Sequence, residues 1–121
     1  MYKLRYKIWL ETSGKAFGQG PYNLLTGIQR HGSLSQAAKE MHMSYSQAHT
    51  LMKKLSQNLG FPLLISHTGG SGGGETSLTP EAVQLMKTYD DFYQECSSAI
   101  EQIFIKYFSE TVQGDGQAWF K

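Results

Sequence analysis

Between Ser33 and Leu59 the chain reads SLSQAAKEMHMSYSQAHTLMKKLSQNL, two short amphipathic stretches with a break near His42. Ser33 and Ser35 are candidate caps for the first stretch, whose apolar positions Leu34, Ala37, Ala38 and Met41 recur three and four apart. Ser44 offers a second cap, after which Ala48, Leu51, Met52, Leu55 and Leu59 draw one stripe down a longer helix. The small side chains of Ala37 and Ala38 allow two helices to cross closely. Opposite the stripe, Tyr45, Ser46, Gln47, His49, Thr50, Lys53, Lys54 and Gln57 face outward. Hydroxyls and amides near a helix start suit base edges, and lysines further along suit phosphates. The spacing therefore predicts a helix-turn-helix whose second helix enters a DNA major groove, with Ser44 to Lys54 as its contacting segment. An ordinary helical hairpin with a solvated outer face is the plain alternative.

The segment that follows favours the first of these. Gly60 stops the helix and Pro62 keeps it stopped. Leu63, Leu64 and Ile65 predict a short strand, Thr76 to Leu78 a returning one, and HTGGSGGGE joins them. A hairpin here stands where a winged helix-turn-helix has its wing, with His67, Thr68, Gly69, Gly70, Ser71, Gly72, Gly73 and Gly74 as candidate backbone contacts. Glycine N–H groups approach a phosphate without hindrance. No Lys-Ser/Thr follows the glycines, so this is not a P-loop, and their spacing is not G-x-G-x-x-G. A flexible linker is the competing explanation of a Gly/Ser run.

GSLSQAAKEMHMSYSQAHTLMKKLSQNLG followed by PLLISHTGGSGGGETSLTPEAVQLM resembles the N-terminal DNA-binding domain of the molybdate-responsive regulators, the ModE family. More loosely it is similar to the winged domains of LysR-type regulators. The resemblance runs from about Lys3 to Ile100. It is carried by Gly32 to Ala38, Ser44-Tyr45, Thr68 to Gly74 and Leu78-Thr79-Pro80. It implies a winged helix-turn-helix that binds duplex DNA. The family often places a basic residue just after Ser-Tyr and another shortly before the glycines; here Ser46 and Ser66 stand there, and His49 replaces a larger aromatic. Full-length members also carry oxyanion-binding domains, for which 121 residues leave no room, so the family's ligand is not expected to bind this chain.

Net charge is only +1, yet it is divided unevenly. Residues 1 to 74 hold eight Lys/Arg against Glu11 and Glu40, or +6, whereas residues 75 to 121 hold three Lys against eight Asp/Glu, or −5. The basic half contains the helix pair and the hairpin, as a DNA-facing surface requires. Tyr2, Leu4, Tyr6, Ile8 and Leu10 alternate with Lys3, Arg5, Lys7, Trp9 and Glu11, a period of two that predicts a half-buried strand. Lys3, Arg5 and Lys7 on its other face read equally as a solvated edge or as a DNA or dimer contact. After the turn Thr12 to Lys15, Ala16 and Phe17 return as a short partner. Gly20-Pro21 then opens a helix with Leu24, Leu25 and Ile28 inward, closed by Gly32.

Thr79-Pro80 starts a helix that no Pro or Gly interrupts before Gly114. Pro80 to about Phe108 would span ~43 Å. Apolar residues recur along it near a heptad spacing, from Ala82 to Tyr107. Such a stripe predicts a two-fold dimer through Tyr89, Phe92, Tyr93, Cys96, Ile100, Ile103 and Phe104, so that two recognition helices meet a palindromic site. A helix folded wholly onto its own domain is the alternative.

Nothing here points to catalysis. Cys96 is a lone cysteine on an apolar face, where a small buried thiol is the ordinary explanation. His31, His42, His49 and His67 show no metal-ligand spacing, and Asp90-Asp91 reads as a solvated face. No metal, cofactor, small-molecule ligand or membrane contact is expected, and the lack of an apolar leader points to a cytoplasmic protein. The expected fold is mainly α with small β, a winged helix-turn-helix with an N-terminal hairpin over 1–78, a long dimerisation helix over 79–110 and a flexible tail over 111–121. The expected function is a homodimeric DNA-binding transcriptional regulator. A protein-interaction adaptor that keeps the fold without binding DNA, and an oxyanion sensor, are the two rivals.

Overall fold

A computed structural model describes residues 1–67 and 75–109. The wing tip Thr68 to Gly74 and the tail over 111–121 lie outside the described residues. Two compact units are present, Ile8–Thr88 and a second made of Met1–Lys7 with the chain from Tyr89 onward.

The larger unit opens with a small antiparallel hairpin, β1 (Leu10–Glu11) and β2 (Lys15–Phe17). Three helices follow: α1 (Gln19–His31), α2 (Leu34–Glu40) and α3 (Tyr45–Leu59). A second hairpin, β3 (Leu64–His67) and β4 (Glu75–Leu78), leads into α4 (Pro80–Phe108). The order and the helix bounds follow the caps read from the chain. Gly32 and Gly60 take left-handed φ of 67° and 88° to end α1 and α3, which glycine does without the Cβ penalty. Ser33 caps α2 through the Gln36 N–H. Ser35, the other candidate, lies inside that helix.

The core of this unit gathers Phe17, Leu24, Leu25, Ile28, Leu34, Ala37, Ala38, Ala48, Met52, Leu55 and Leu63, all buried. Leu51 and Leu59, expected on the α3 stripe, are only half-buried. Ala37 does more than let α2 cross α3. A Cβ built on Gly27 of α1 would stand 2.9 Å from the Ala37 Cβ, so it is the α1–α2 crossing that depends on two small residues meeting.

Two polar stitches hold β-structure to helix. The Thr12 hydroxyl donates to the Asn58 carbonyl (2.7 Å), and the Asn58 amide donates to the Lys15 carbonyl (2.8 Å), fastening the first hairpin to the end of α3. At the second hairpin, buried Thr79 donates its hydroxyl to the Pro62 carbonyl (2.8 Å) and accepts from the Ala82 N–H (3.1 Å), and its own N–H donates to the Leu63 carbonyl (3.0 Å). One side chain thus caps α4 and ties it to the strand entry.

One expectation fails. Only Leu10 and Glu11 of the stretch Tyr2 to Glu11 are strand. The alternation itself is real, since Leu4, Tyr6, Ile8 and Leu10 are half-buried while Lys3, Arg5, Lys7 and Trp9 are exposed. Alternation reports which side is covered, whereas a ladder needs a neighbouring backbone, and the three residues of β2 pair only with Leu10 and Glu11, across a shift of register. In the second unit the cover comes from a helix instead. The Tyr2 ring meets Phe108 edge-on at 5.2 Å, Tyr6 stacks on Tyr93 at 6.4 Å, and the Tyr6 hydroxyl donates to Glu101 (3.2 Å). Residues 1–7 therefore run along the second half of α4, in the opposite direction.

Candidate nucleic-acid interface

The outward face of α3 is built from its first residue. The Ser44 hydroxyl accepts from the Gln47 backbone N–H (3.0 Å), and the Gln47 side-chain oxygen Oε1 accepts from the Ser44 N–H (2.9 Å). This reciprocal box satisfies two donors that a helix start leaves open. The turn before it needs a left-handed residue, which His42 supplies at φ 58°, while the Met43 N–H donates to the Ala38 carbonyl (2.9 Å). Ala48, Met52 and Leu55 then lock the inner face into the core.

Tyr45, Ser46, Gln47, His49, Thr50, Lys53 and Lys54 are all exposed, as is Ser44. They fall on two flanks. Tyr45, His49 and Lys53, one helical turn apart, line an open groove of about 360 Å³ between α3 and the foot of the second hairpin. Its floor is Leu34, Met52, Leu63 and Leu64, and Ser56, Ser66 and Thr76 add hydroxyls. The Tyr45 and His49 rings stack at 5.9 Å with 27° between planes. On the other flank Ser44, Ser46, Gln47, Thr50, Leu51 and Lys54 border a depression of about 450 Å³. Ser44 and Gln47 spend their facing atoms on the helix cap, which leaves the Gln47 amide NH₂ as its group for an outside partner.

Reasoning from sequence did not place Ser66 and Thr76 beside α3. They are directly opposite each other in the hairpin register, and period two puts them on one sheet face, but the helix facing them is a tertiary fact. The Thr76 N–H donates to the Gly32 carbonyl (2.9 Å), holding this strand against the α1–α2 corner. His67 sits at the upper end of β3, where its ring nitrogen is 3.2 Å from the Ser77 hydroxyl. Thr68, Gly69, Gly70, Ser71, Gly72, Gly73 and Gly74 lie outside the described residues.

Charge on this unit is partly spent. Arg30 and His31 at the end of α1 both bind the Glu40 carboxylate, His31 at 2.8 Å. Among the described residues of this unit Lys15, Lys39, Lys53 and Lys54 enter no ion pair; Lys15 lies over the Trp9 ring, and Lys53 and Lys54 place unpaired positive charge on α3. The hydrogen bonds from His31 and then Arg30 hold the Glu40 carboxyl below its ordinary range. A lowered carboxylate stabilises the fold above the unfolded value of 4.5 and loses that contribution as pH falls through the folded value. Glu40→Gln should therefore lower the melting temperature at pH 6 and above, by an amount that shrinks as the pH is taken down below 4.5, in scans of melting temperature against pH. A loss independent of pH would dismiss the ionic contribution.

On α4, Tyr89 is 2% exposed in the single chain, which leaves a second chain little of it to touch. Phe92 and Ile103 are 44% and 58% exposed, and Tyr93, Ile100 and Phe104 are half-buried. Cys96, expected to be buried, is only half so, because the apolar stripe is wider than the surface that covers it. Exposed Tyr107 and Phe108 extend the same end of the helix. No group of three His, Cys, Asp or Glu side chains is placed to hold a metal among the described residues, and no described helix is long and apolar enough to cross a membrane.

A model of the bacterial regulatory helix-turn-helix proteins of the lysR family matches residues 23–83, from the middle of α1 through both hairpin strands into α4. The chain belongs to the lysR family. Among individual proteins, this lysR-family chain is 42% identical over 67 residues to the transcriptional regulator ModE of Haemophilus influenzae, covering 55% of this chain and 26% of that one. It is 35% identical over 80 residues to the molybdenum-pterin-binding protein MopB of Rhodobacter capsulatus, covering 66% and 30%. It is 30% identical over 106 residues to the molybdenum transport protein ModE of Azotobacter vinelandii, covering 88% and 39%. The chain thus spans between about a quarter and two-fifths of the length of these relatives. The crystal structure of the CbnR_DBD–DNA complex shares the fold at a TM-score of 0.50 and 18% identity, over 67% of this chain and 87% of that one. The winged helix-turn-helix architecture and the ModE-like and LysR-like character read from the residues both stand.

Proposed function

We propose that this lysR-family chain is a sequence-specific DNA-binding transcriptional regulator that acts as a homodimer on an inverted repeat. The observation that carries the reading is the outward face of α3, where every side chain from Tyr45 to Lys54 that is not committed to the core is exposed. That face is mostly polar, with unspent lysines beyond its first turn, as a helix entering a major groove needs. Tyr45, Ser46, Thr50 and the Gln47 amide meet base edges, with His49 stacked beside Tyr45 on the same face, and Lys53 and Lys54 meet phosphates. The second hairpin lies against the same flank, and its tip, Thr68 to Gly74, extends the contact to the backbone. Several relatives are themselves named as transcriptional regulators, and the fold neighbour is titled as a DNA complex. The winged part over 1–78 binds, and the helix over 79–110 pairs two copies through Phe92, Tyr93, Cys96, Ile100, Ile103 and Phe104, a half-exposed apolar strip. The protein works in the cytoplasm, where its DNA is, without metal or cofactor.

Selection of bound duplexes from a random library is the direct test. An inverted repeat with its half-sites one DNA turn apart is the expected product. Recovery of a single unrepeated half-site would remove the homodimer, and the absence of binding to any duplex at low salt would remove the DNA reading in favour of a protein-interaction adaptor. Lys53→Ala should weaken all sequences alike and make the plot of log affinity against log salt shallower by about one unit. An unchanged slope would show that Lys53 meets no phosphate.

A further inference from the structure

Tyr45 is an anomaly on the α3 surface. It is the first residue of the helix and is 56% exposed, a large ring on a face that, His49 apart, presents hydroxyls, amides and lysines. It is held there. His49, one turn on, stacks against it at 5.9 Å, and the groove it lines has an apolar floor of Leu34, Met52 and Leu63. Ser66 and Thr76 line that groove from the hairpin, and exposed Tyr45 lines it from the start of α3.

The first turn of a recognition helix is the part that meets base edges. In the major groove each base pair offers hydrogen-bonding atoms, and only one feature of the code is apolar, the C5-methyl group of thymine. An exposed ring, fixed by its neighbour and backed by an apolar floor, has nothing else of that kind to recognise.

We infer that Tyr45, positioned by His49, is a specificity-determining residue that reads one thymine of each half-site through its 5-methyl group. The inference rests on the DNA-binding reading and deepens it. The thymine methyl enters the mouth of the groove against the Tyr45 ring, while Lys53 at the far end of the same flank takes the neighbouring phosphate. His49 acts here as a positioning residue, since its ring fixes that of Tyr45.

The test removes one methyl group at a time. Duplexes recovered by selection with the wild-type protein are remade with each thymine replaced singly by deoxyuridine, which keeps every hydrogen bond and loses only the methyl. One symmetry-related thymine position should weaken binding about fourfold, as burial of one methyl implies, with the other positions nearly silent. In Tyr45→Ala that position should become indifferent to the methyl, whereas Tyr45→Phe should retain the sensitivity. His49→Ala should reduce it, and His49→Phe, which keeps a stacking ring, should restore it. If Tyr45→Ala melts abnormally, Tyr45→Gln serves, because it keeps a long side chain without a ring. Specific binding that ignores every methyl, or a sensitive position that stays sensitive in Tyr45→Ala and Tyr45→Gln, would overturn the inference while leaving the DNA-binding reading intact. Failure of the wild type to bind any duplex would instead overturn that reading.

Discussion

Gly27→Val is expected to destabilise the fold by about 2–3 kcal/mol and to lower its melting temperature by on the order of 10 °C. The position is unusual for glycine, since it lies inside α1, where alanine is the better helix former by about 1 kcal/mol. What keeps it small is the neighbouring helix. A Cβ at Gly27 would stand 2.9 Å from the Ala37 Cβ and 3.3 Å from the Ala37 Cα, and the second of these atoms is backbone that cannot step aside. Any larger group forces α1 and α2 apart, and α2 carries the turn that sets α3. Gly27→Ala should cost less than Gly27→Val, because improved helix propensity offsets part of the clash. The discriminating measurement is a double-mutant cycle by thermal and denaturant melts. Ala37→Gly alone should destabilise, yet in the Gly27→Ala background it should recover stability, giving a coupling between the two sites. Strictly additive losses would mean that the crossing has slack and the two positions are independent.

Thr79→Val should cost about 2–4 kcal/mol although it changes the side-chain shape very little. Five hydrogen bonds meet at this buried residue, three of them through the hydroxyl, whose proton is shared between the Pro62 carbonyl at 2.8 Å and the Leu63 carbonyl at 3.4 Å. Valine removes the cap from the Ala82 N–H and leaves the Pro62 carbonyl without its donor, and a buried polar group left unmatched costs more than the bond was worth. The Thr79 N–H bond to Leu63 survives, so the residue should keep its place while α4 loses its anchor. Thr79→Ser retains the hydroxyl and should stay within about 1 kcal/mol of the parent. Denaturant melts of the two variants separate hydroxyl chemistry from packing. If valine proved no more damaging than about 1 kcal/mol, the hydroxyl would not anchor α4; if serine proved as damaging as valine, the methyl that serine loses would matter as much as the hydroxyl that valine loses.

These two sites also mark where sequence reasoning reached and where it stopped. Thr79-Pro80 announces a helix start on local grounds, since a hydroxyl side chain followed by proline suits the cap and first turn wherever it occurs. That the same hydroxyl also donates to Pro62 is not local, and nothing between residues 62 and 79 declares it. The cap at Ser44, the helix stops at Gly32 and Gly60, and the polar flank of α3 were all legible because each depends on residues within one or two turns. Gly27 was not, since its reason lies ten residues away on another helix. The stretch from Tyr2 to Trp9 shows the opposite failure. Its period of two was correctly read and wrongly assigned, because a helix can cover alternate side chains as well as a sheet can. In the candidate interface, the row of Tyr45, His49 and Lys53 was visible as outward-facing residues, but its division from Ser46, Gln47 and Thr50 required knowing where the hairpin stands.

The clamp between Asn58 and the first hairpin carries a last consequence. α3 is tied to its neighbours at both extremities, ahead of its start by the Met43 N–H bond to the Ala38 carbonyl of α2 and at its finish by the hydrogen bonds of Asn58 with Thr12 and Lys15. A rod gripped at both tips cannot roll about its long axis. Its outward side chains consequently keep their angular bearing before any partner arrives, and little ordering remains to be done on encounter. Substitutions along that rod should alter preference one position at a time, without reorienting the others, which makes the surface readily retuned by mutation.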